Sequence, residues 1–181
     1  MAEPAPLAPT IRVATNADVL SMAKVHVLCW RETYPGLLPP RMLERLSIAD
    51  EAIRWQRMLD RPRGLDGTLA FVADRQGSVL GYGTCNEQRT MVLRDRGFTG
   101  EVSELYVLGP EQRQGIGSGL MKAMASALLE RGHLGLSLWV LGQNDAACRF
   151  YERIGGRLIA EKRSSAAEVA YGWSNLRALI H

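Results

Sequence analysis

Three groups of residues in this 181-residue chain have the types and spacing for chemistry. The first is Gln112-Arg113-Gln114-Gly115-Ile116-Gly117-Ser118, a glycine-rich turn leading from a β-rich run into a helical pattern. At a helix start several backbone N–H groups lack intrahelical acceptors and the dipole is positive, so a phosphate binds there readily. Glycines at 115 and 117 let an anion approach with no Cβ in the way, although they equally serve a tight turn and close helix packing. The second group is Glu101 and Glu104, carboxylates inside the run Glu101 to Leu108. An ionised carboxylate at a sheet centre is costly unless paired, so Glu104 requires either a proton-transfer role or a buried arginine partner. The third is Tyr151, on the apolar stripe of a helix, where a core aromatic with its hydroxyl hydrogen-bonded is the ordinary outcome.

Spacing excludes two well-known phosphate loops. A Walker loop needs Gly-Lys followed by Ser or Thr, whereas Gly117 precedes Ser118 and the next lysine is Lys122. A dinucleotide fingerprint counted from Gly115 requires glycine at 120, where Leu120 stands. Cys29, Cys85 and Cys148 are odd in number, widely spaced and never C-x-x-C, which argues against disulfides and against a zinc site. His26 and His133 have no partners at ligand or triad spacing and receive no chemistry, and no metal is expected.

Composition narrows the partners. With 46% hydrophobic and 23% charged residues the chain is an ordinary globular one, and its net charge of +3 is mostly scattered arginine. Such a mild excess suits a small anionic ligand better than nucleic acid, which calls for a concentrated basic stripe. The greasiest run, Leu134 to Leu141, is interrupted by Gly135 and Ser137 and is far below the ~18 apolar residues of a membrane span. The start, Met1 to Thr10, reads as a flexible Pro/Ala arm with no basic leader, so a cytoplasmic location is expected.

The elements that must position these groups follow from periodicity. Strands are expected at Thr10–Val13, Thr68–Ala73, Ser78–Cys85, Glu101–Leu108, Leu134–Leu141, Arg157–Lys162 and Glu168–Trp173. Helices are expected from Val19 to Trp30 behind the capping residues Thr15 to Asp18, from Met42 to Leu59, from Ile116 to Arg131, and from the Asn144-Asp145 cap to Ile154. Asp74 to Gly77 reads as a hairpin turn. The fold class is α/β, a mixed, mostly antiparallel sheet of about seven strands with about four helices. Alternation places Val102, Glu104 and Tyr106 on one face of their strand and Ser103, Leu105 and Val107 on the other, with Glu101 opposite Glu104 unless a bulge shifts the register.

Gln112-Arg-Gln-Gly115-Ile-Gly117 resembles the Q/R-x-x-G-x-G/A signature of the GNAT superfamily of acetyl-CoA-dependent N-acetyltransferases. Its context is similar too: Leu105-Tyr106-Val107 before the turn, Leu120-Met121 in the following helix, and Asn144-x-x-Ala147-x-x-Phe150-Tyr151-x-x-x-Gly155 about 25 residues later. Val25 to Pro39, with Trp30, Tyr34 and Gly36, resembles the first helical region of many bacterial members, and Tyr171-Gly-Trp173 their closing strand. Gly156 departs from the family, which often has an aromatic residue there. The resemblance covers roughly residues 11 to 178 as one domain.

The resemblance implies acetyl transfer from acetyl-CoA to a small-molecule or peptide amine by direct attack in a ternary complex, with no nucleic acid, no membrane and, as a fair prior, a homodimer. It assigns the pyrophosphate to Gln112, Arg113, Gln114, Gly115, Ile116, Gly117 and Ser118, and the pantetheine arm to Leu105, Tyr106 and Val107. That arm requires a central parallel strand pair that splays, leaving a backbone N–H for the developing oxyanion. Asn144 would both cap its helix and lie near the coenzyme arm. Tyr151 takes the position of the general acid, and Glu104, or Glu101 in reserve, that of the base or of the anchor for a relaying water. Trp30 and Tyr34, with Trp55, Arg31 and Glu32, fall where the substrate lid forms, or simply close the core. The same signature fits an inactive acyl-CoA-binding module.

Overall fold

β1 (Thr10–Val13), α1 (Val19–Thr33), α2 (Pro40–Glu44), α3 (Ile48–Leu59), β2 (Leu69–Arg75), β3 (Ser78–Glu87) and α4 (Met91–Asp95) form the first half of the chain. β4 (Gly100–Val107), α5 (Ile116–Glu130), β5 (Leu136–Leu141), α6 (Asp145–Arg153), β6 (Arg157–Arg163), β7 (Ala167–Trp173) and α7 (Leu176–Ile180) complete it. The computed structural model describes residues 7–61, 67–163 and 167–181. Residues 1–6 of the expected arm lie outside the described residues, and β1 already begins at Thr10, paired with Asp74.

The strands make one seven-stranded sheet in the order β1-β2-β3-β4-β5-β7-β6. Every pairing is antiparallel except β4 with β5, which run parallel. α5 covers one face, burying Ile116, Leu120, Met121, Met124 and Leu128 against Phe71, Cys85, Val102, Leu136 and Leu138. Gly83 permits this approach, since a Cβ there would stand 2.7 Å from the Met124 methyl. α1 and α3 cover the other face, where Met22, Ala23, Val25 and Trp55 pack on Ala70, Val72 and Tyr82. Leu93 and Phe98 close that face over Ala170 toward the β7 end.

The expected helix from Met42 to Leu59 is broken. Ser47 is extended and caps α3 by accepting from Asp50 N–H at 3.3 Å, which ends one helix and starts another. α4 and α7, each a single short turn of helix, lie in segments whose composition carries no helical period. β5 begins at Leu136 because Leu134 points to solvent, 67% exposed.

Arg12 ties the first layer together. Its guanidinium donates to both oxygens of buried Asp18 at 2.8 Å and to Asp74 at 2.7 and 3.0 Å. The Arg12 hydrogen bonds hold the Asp18 carboxyl down to about 2, against the opposing effect of burial. An aspartate titrates near ~3.9 when unfolded. The stability from this pair is therefore present above about pH 4 and is lost as pH falls through the folded value. Asp18→Asn is expected to cost about 1–3 kcal/mol at pH 7 and to flatten the acid limb of stability, measured by urea unfolding between pH 2 and 7.

Candidate active site

β4 and β5 pair only at Gly100 with Leu136 and Glu101 with Ser137, then diverge. At the same place β4 is bulged: Val102 faces Cys85, Glu104 faces Thr84, and Ser103 is skipped. A bulge bends its strand and reverses the side-chain alternation beyond it. Val102 consequently enters the α5 core, while Glu104 and Tyr106 turn to the α1 and α3 face. The expected sharing of one face by Val102 and Glu104 is thereby corrected, and Glu101 comes to the Glu104 side.

Leu108 N–H donates to Leu80 C=O at 3.0 Å, which fixes the phase of the ladder. Alternation then directs the backbone of Tyr106 to Tyr82 and turns the N–H and C=O groups of Leu105 and Val107 into the gap beside β5. Gln112 Nε2 donates to the Val107 carbonyl there, at 3.0 Å. Apart from that carbonyl, no backbone hydrogen bond among the described residues takes this strand edge.

This edge runs into the glycine turn. Arg113 (φ 65°) and Gly115 (φ 82°) are both left-handed, which curls the chain so that successive N–H groups face one side. Gly119 N–H is the first to bond back into the helix, to Gly115 C=O at 2.9 Å. Among the described residues, the N–H groups of Gly115 through Ser118 make no hydrogen bond. The two glycines have different reasons: a Cβ at Gly115 would meet nothing, so its backbone conformation demands glycine, while one at Gly117 would stand 3.2 Å from the Phe150 ring. Arg75 braces the turn from outside, donating to Gln114 Oε1 at 3.3 Å and lying 2.9 Å from Glu111.

α6 brings Tyr151 to this place. Asn144 caps it, its side chain accepting from Ala147 N–H at 3.2 Å. Tyr151 is 8% exposed, with ring centroids 5.2 Å from Phe150, 5.9 Å from Tyr171 and 6.1 Å from Trp173. It packs in the cluster that Leu105, Val107 and Val140 border. Burial, with Tyr34 and Cys148 adding to it, raises the phenol well above its ordinary value. Tyr151 therefore carries its proton throughout the neutral range.

Across the sheet edge Glu104 is densely paired. Arg54 Nη1 donates to its Oε1 at 2.8 Å, and Tyr82 Oη donates to its Oε2 at 2.6 Å. His26 Nδ1 stands 3.4 Å from the same Oε2. Burial would raise this carboxyl, but His26, Arg54 and Tyr82 outweigh it and hold it down to about 2. Arg54 also binds Glu51 at 2.7 Å. Above the cluster Trp30 Nε1 donates to Tyr106 Oη at 2.9 Å, and Tyr34 meets Trp30 edge-on at 4.9 Å. Glu101 is closed off differently, taking Arg89 Nη2 at 2.6 Å and Arg89 N–H at 3.0 Å.

Arg54, Tyr82, His26 and Glu51 escape the sequence reading. The spacing of His26 and Trp30 on α1 and of Tyr34 at its C-cap, at i, i+4 and i+8, is the one signal that groups a histidine with the aromatic lid. Among the described residues, no cluster of three or more His, Cys, Asp or Glu side chains has the geometry to hold a metal, and no helix is long and apolar enough to cross a membrane.

Splayed parallel strands, a glycine turn at the start of α5 and the cluster over the strand edge make up the candidate site, and the sequence profile described as the Acetyltransferase (GNAT) family matches residues 24–156. The chain belongs to the GNAT family. It is therefore an N-acetyltransferase by family, as its relatives are named. A Bacillus subtilis protein, the uncharacterized N-acetyltransferase YuaI, is 34% identical over 176 residues, covering 94% of this chain and 95% of the relative. The PaiA N-acetyltransferase of Thermoplasma acidophilum in complex with coenzyme A shares the fold with TM-score 0.76 and 18% identity, over 92% of this chain and 100% of that one. YncA from Salmonella typhimurium, a putative acetyltransferase solved with acetyl-CoA, gives TM-score 0.68 and 20% identity, covering 93% of this chain and 94% of that one.

Proposed function

We propose that this GNAT protein transfers an acetyl group from acetyl-CoA to a primary amine by direct attack within a ternary complex. The observation that carries the reading is the row of N–H groups from Gly115 to Ser118, without a hydrogen bond among the described residues, continuous with the strand edge of Leu105 and Val107 that faces the gap. The residues fit the coenzyme. The N–H groups at the start of α5, with Arg113, would hold its pyrophosphate, and Leu105 and Val107 would pair with its amide arm. When bound, acetyl-CoA supplies the acetyl group activated as a thioester.

The chain's own groups then handle protons. A lysine-type ammonium has a pKa of ~10.4, so it must lose a proton before it attacks. Glu104, held down to about 2, is too weak a base to keep that proton. Its negative charge instead attracts the ammonium and orders the water that carries the proton away. Tyr151 Oη, protonated throughout the neutral range, supplies a proton at the end of the gap for a leaving thiolate. Trp30 and Tyr34 would line the acceptor's approach, and Asn144 would serve α6 as its cap. All three cysteines are free thiols, which suits a reducing cytoplasm.

Free thiol released from acetyl-CoA across a panel of amines, amino acids and peptides tests this reading. Steady-state turnover with at least one amine is expected. Tight acetyl-CoA binding with no turnover on any amine would overturn it in favour of a binding module.

A further inference from the structure

His26 is 5% exposed on α1, and both of its ring nitrogens face acidic groups. Nδ1 lies 2.7 Å from Tyr82 Oη and 3.4 Å from Glu104 Oε2, while Nε2 lies 3.9 Å from Glu51 Oε2. Tyr82 has one hydroxyl proton, and with Glu104 ionised that proton goes to Oε2 at 2.6 Å. The Tyr82 oxygen can then only accept from His26, which fixes a hydrogen on Nδ1. Nε2 is therefore the atom at which the ring gains or loses a proton.

The groups around the ring come from every element packed on it. β3 supplies Tyr82, β4 supplies Glu104 and Tyr106, and α3 supplies Glu51 and its partner Arg54. Trp30, one turn along α1, stacks on the ring at 5.1 Å. With Nε2 protonated, the ring is a cation wedged between the carboxylates of Glu104 and Glu51. With Nε2 free, the ring only aims Tyr82 at Glu104.

We propose that His26 is a positioning residue whose Nε2 proton governs whether Glu104 receives the acceptor ammonium. As imidazolium, His26 adds a second cationic partner to Glu104 beside Arg54 and repels an incoming ammonium. As neutral imidazole, it leaves the outer charge of Glu104 for the ammonium and its water. The proton leaves Nε2 past Glu51, whose side chain is 18% exposed, to bulk water. Turnover therefore rises with pH as Nε2 deprotonates. This inference rests on the reading that Glu104 faces the acceptor.

The pH dependence of kcat, measured with one acceptor at saturating acetyl-CoA in all variants, tests it, because the titration of the amine itself is then common to every curve. Glu51→Gln removes a carboxylate that favours the imidazolium, so the acid limb is expected to move to lower pH by about one unit. His26→Asn keeps a donor near Tyr82 but does not titrate, so the limb is expected to disappear while the KM for acetyl-CoA stays within twofold. In the free protein, the imidazole NMR titration of His26 is expected to shift the same way in Glu51→Gln, a readout that needs no turnover and no histidine substitution. An acid limb and an imidazole titration that Glu51→Gln leaves unmoved would overturn the proposal. Turnover by Glu104→Gln at the wild-type rate would instead overturn the assignment of Glu104, and the imidazole titration would still report on His26.

Discussion

Gly117→Glu is expected to lose acetyl-CoA binding by at least about 100-fold, roughly 3 kcal/mol, while the protein stays folded. Position 117 lies at the second residue of α5, inside the row of N–H groups that make no hydrogen bond among the described residues. A glutamate there brings its own carboxylate to these donors. It competes within the molecule for the site and repels a diphosphate. The helix dipole favours an acidic residue in the first turn by about 0.3–1 kcal/mol, which offsets part of the crowding of its Cβ, 3.2 Å from Phe150. Calorimetric titration with acetyl-CoA beside a thermal melt separates the two effects. Gly115→Ala supplies the contrast: its Cβ meets nothing, yet φ of 82° penalises any side chain, so the loss falls on stability by about 1 kcal/mol. Normal binding by Gly117→Glu would mean that the phosphates lie elsewhere.

What made that site legible is that its parts are consecutive. The strand, the turn and the first residues of α5 occupy a single stretch from Leu105 to Met121, and the Asn144 cap acts three residues away, on Ala147. Local spacing carries such features. The pairing around Glu104 has no such trace, because Arg54 and Tyr82 lie 50 and 22 residues from it. Only the packing of α3 and β3 against β4 brings them together. A buried arginine was one of the two explanations that the carboxylate itself demanded; the arginine found, Arg54, is 41% exposed, and nothing in the period of the chain identified it.

The bulge at Ser103 entered the sequence reading only as a condition on where Glu101 faces, since an inserted residue leaves the apolar pattern of a short strand readable in either register. It is nevertheless the feature that turns Glu104 toward α1 and marks where β4 leaves β5. The helix break at Ser47 failed for a different reason: Met42 to Leu59 holds enough apolar residues to satisfy one continuous period, and the cap that divides it is a single serine. The histidine set aside for want of partners in the sequence, His26, has Tyr82, Glu104 and Glu51 around it in space.

Tyr151→Phe is expected to lower kcat by about 100-fold or more, the ordinary contribution of a positioned acid, with acetyl-CoA affinity within twofold of wild type. The substitution removes one oxygen and keeps the ring against Phe150, Tyr171 and Trp173. Among the described residues, no hydrogen bond holds the Tyr151 hydroxyl, so phenylalanine leaves no stranded partner and the stability change stays under about 1 kcal/mol. A thiol ionises near ~8.5, so a departing thiolate gains from a proton near neutral pH. Burial keeps that proton on Tyr151 far above neutrality, so Tyr151 itself contributes no basic limb to the wild-type rate below about pH 10. The variant's deficit is accordingly expected to be constant from pH 6 to 9. Steady-state thiol release over that range, with the acetyl-CoA dissociation constant measured in parallel, decides between an acid and a packing residue: an unchanged kcat would leave Tyr151 only its place in the core.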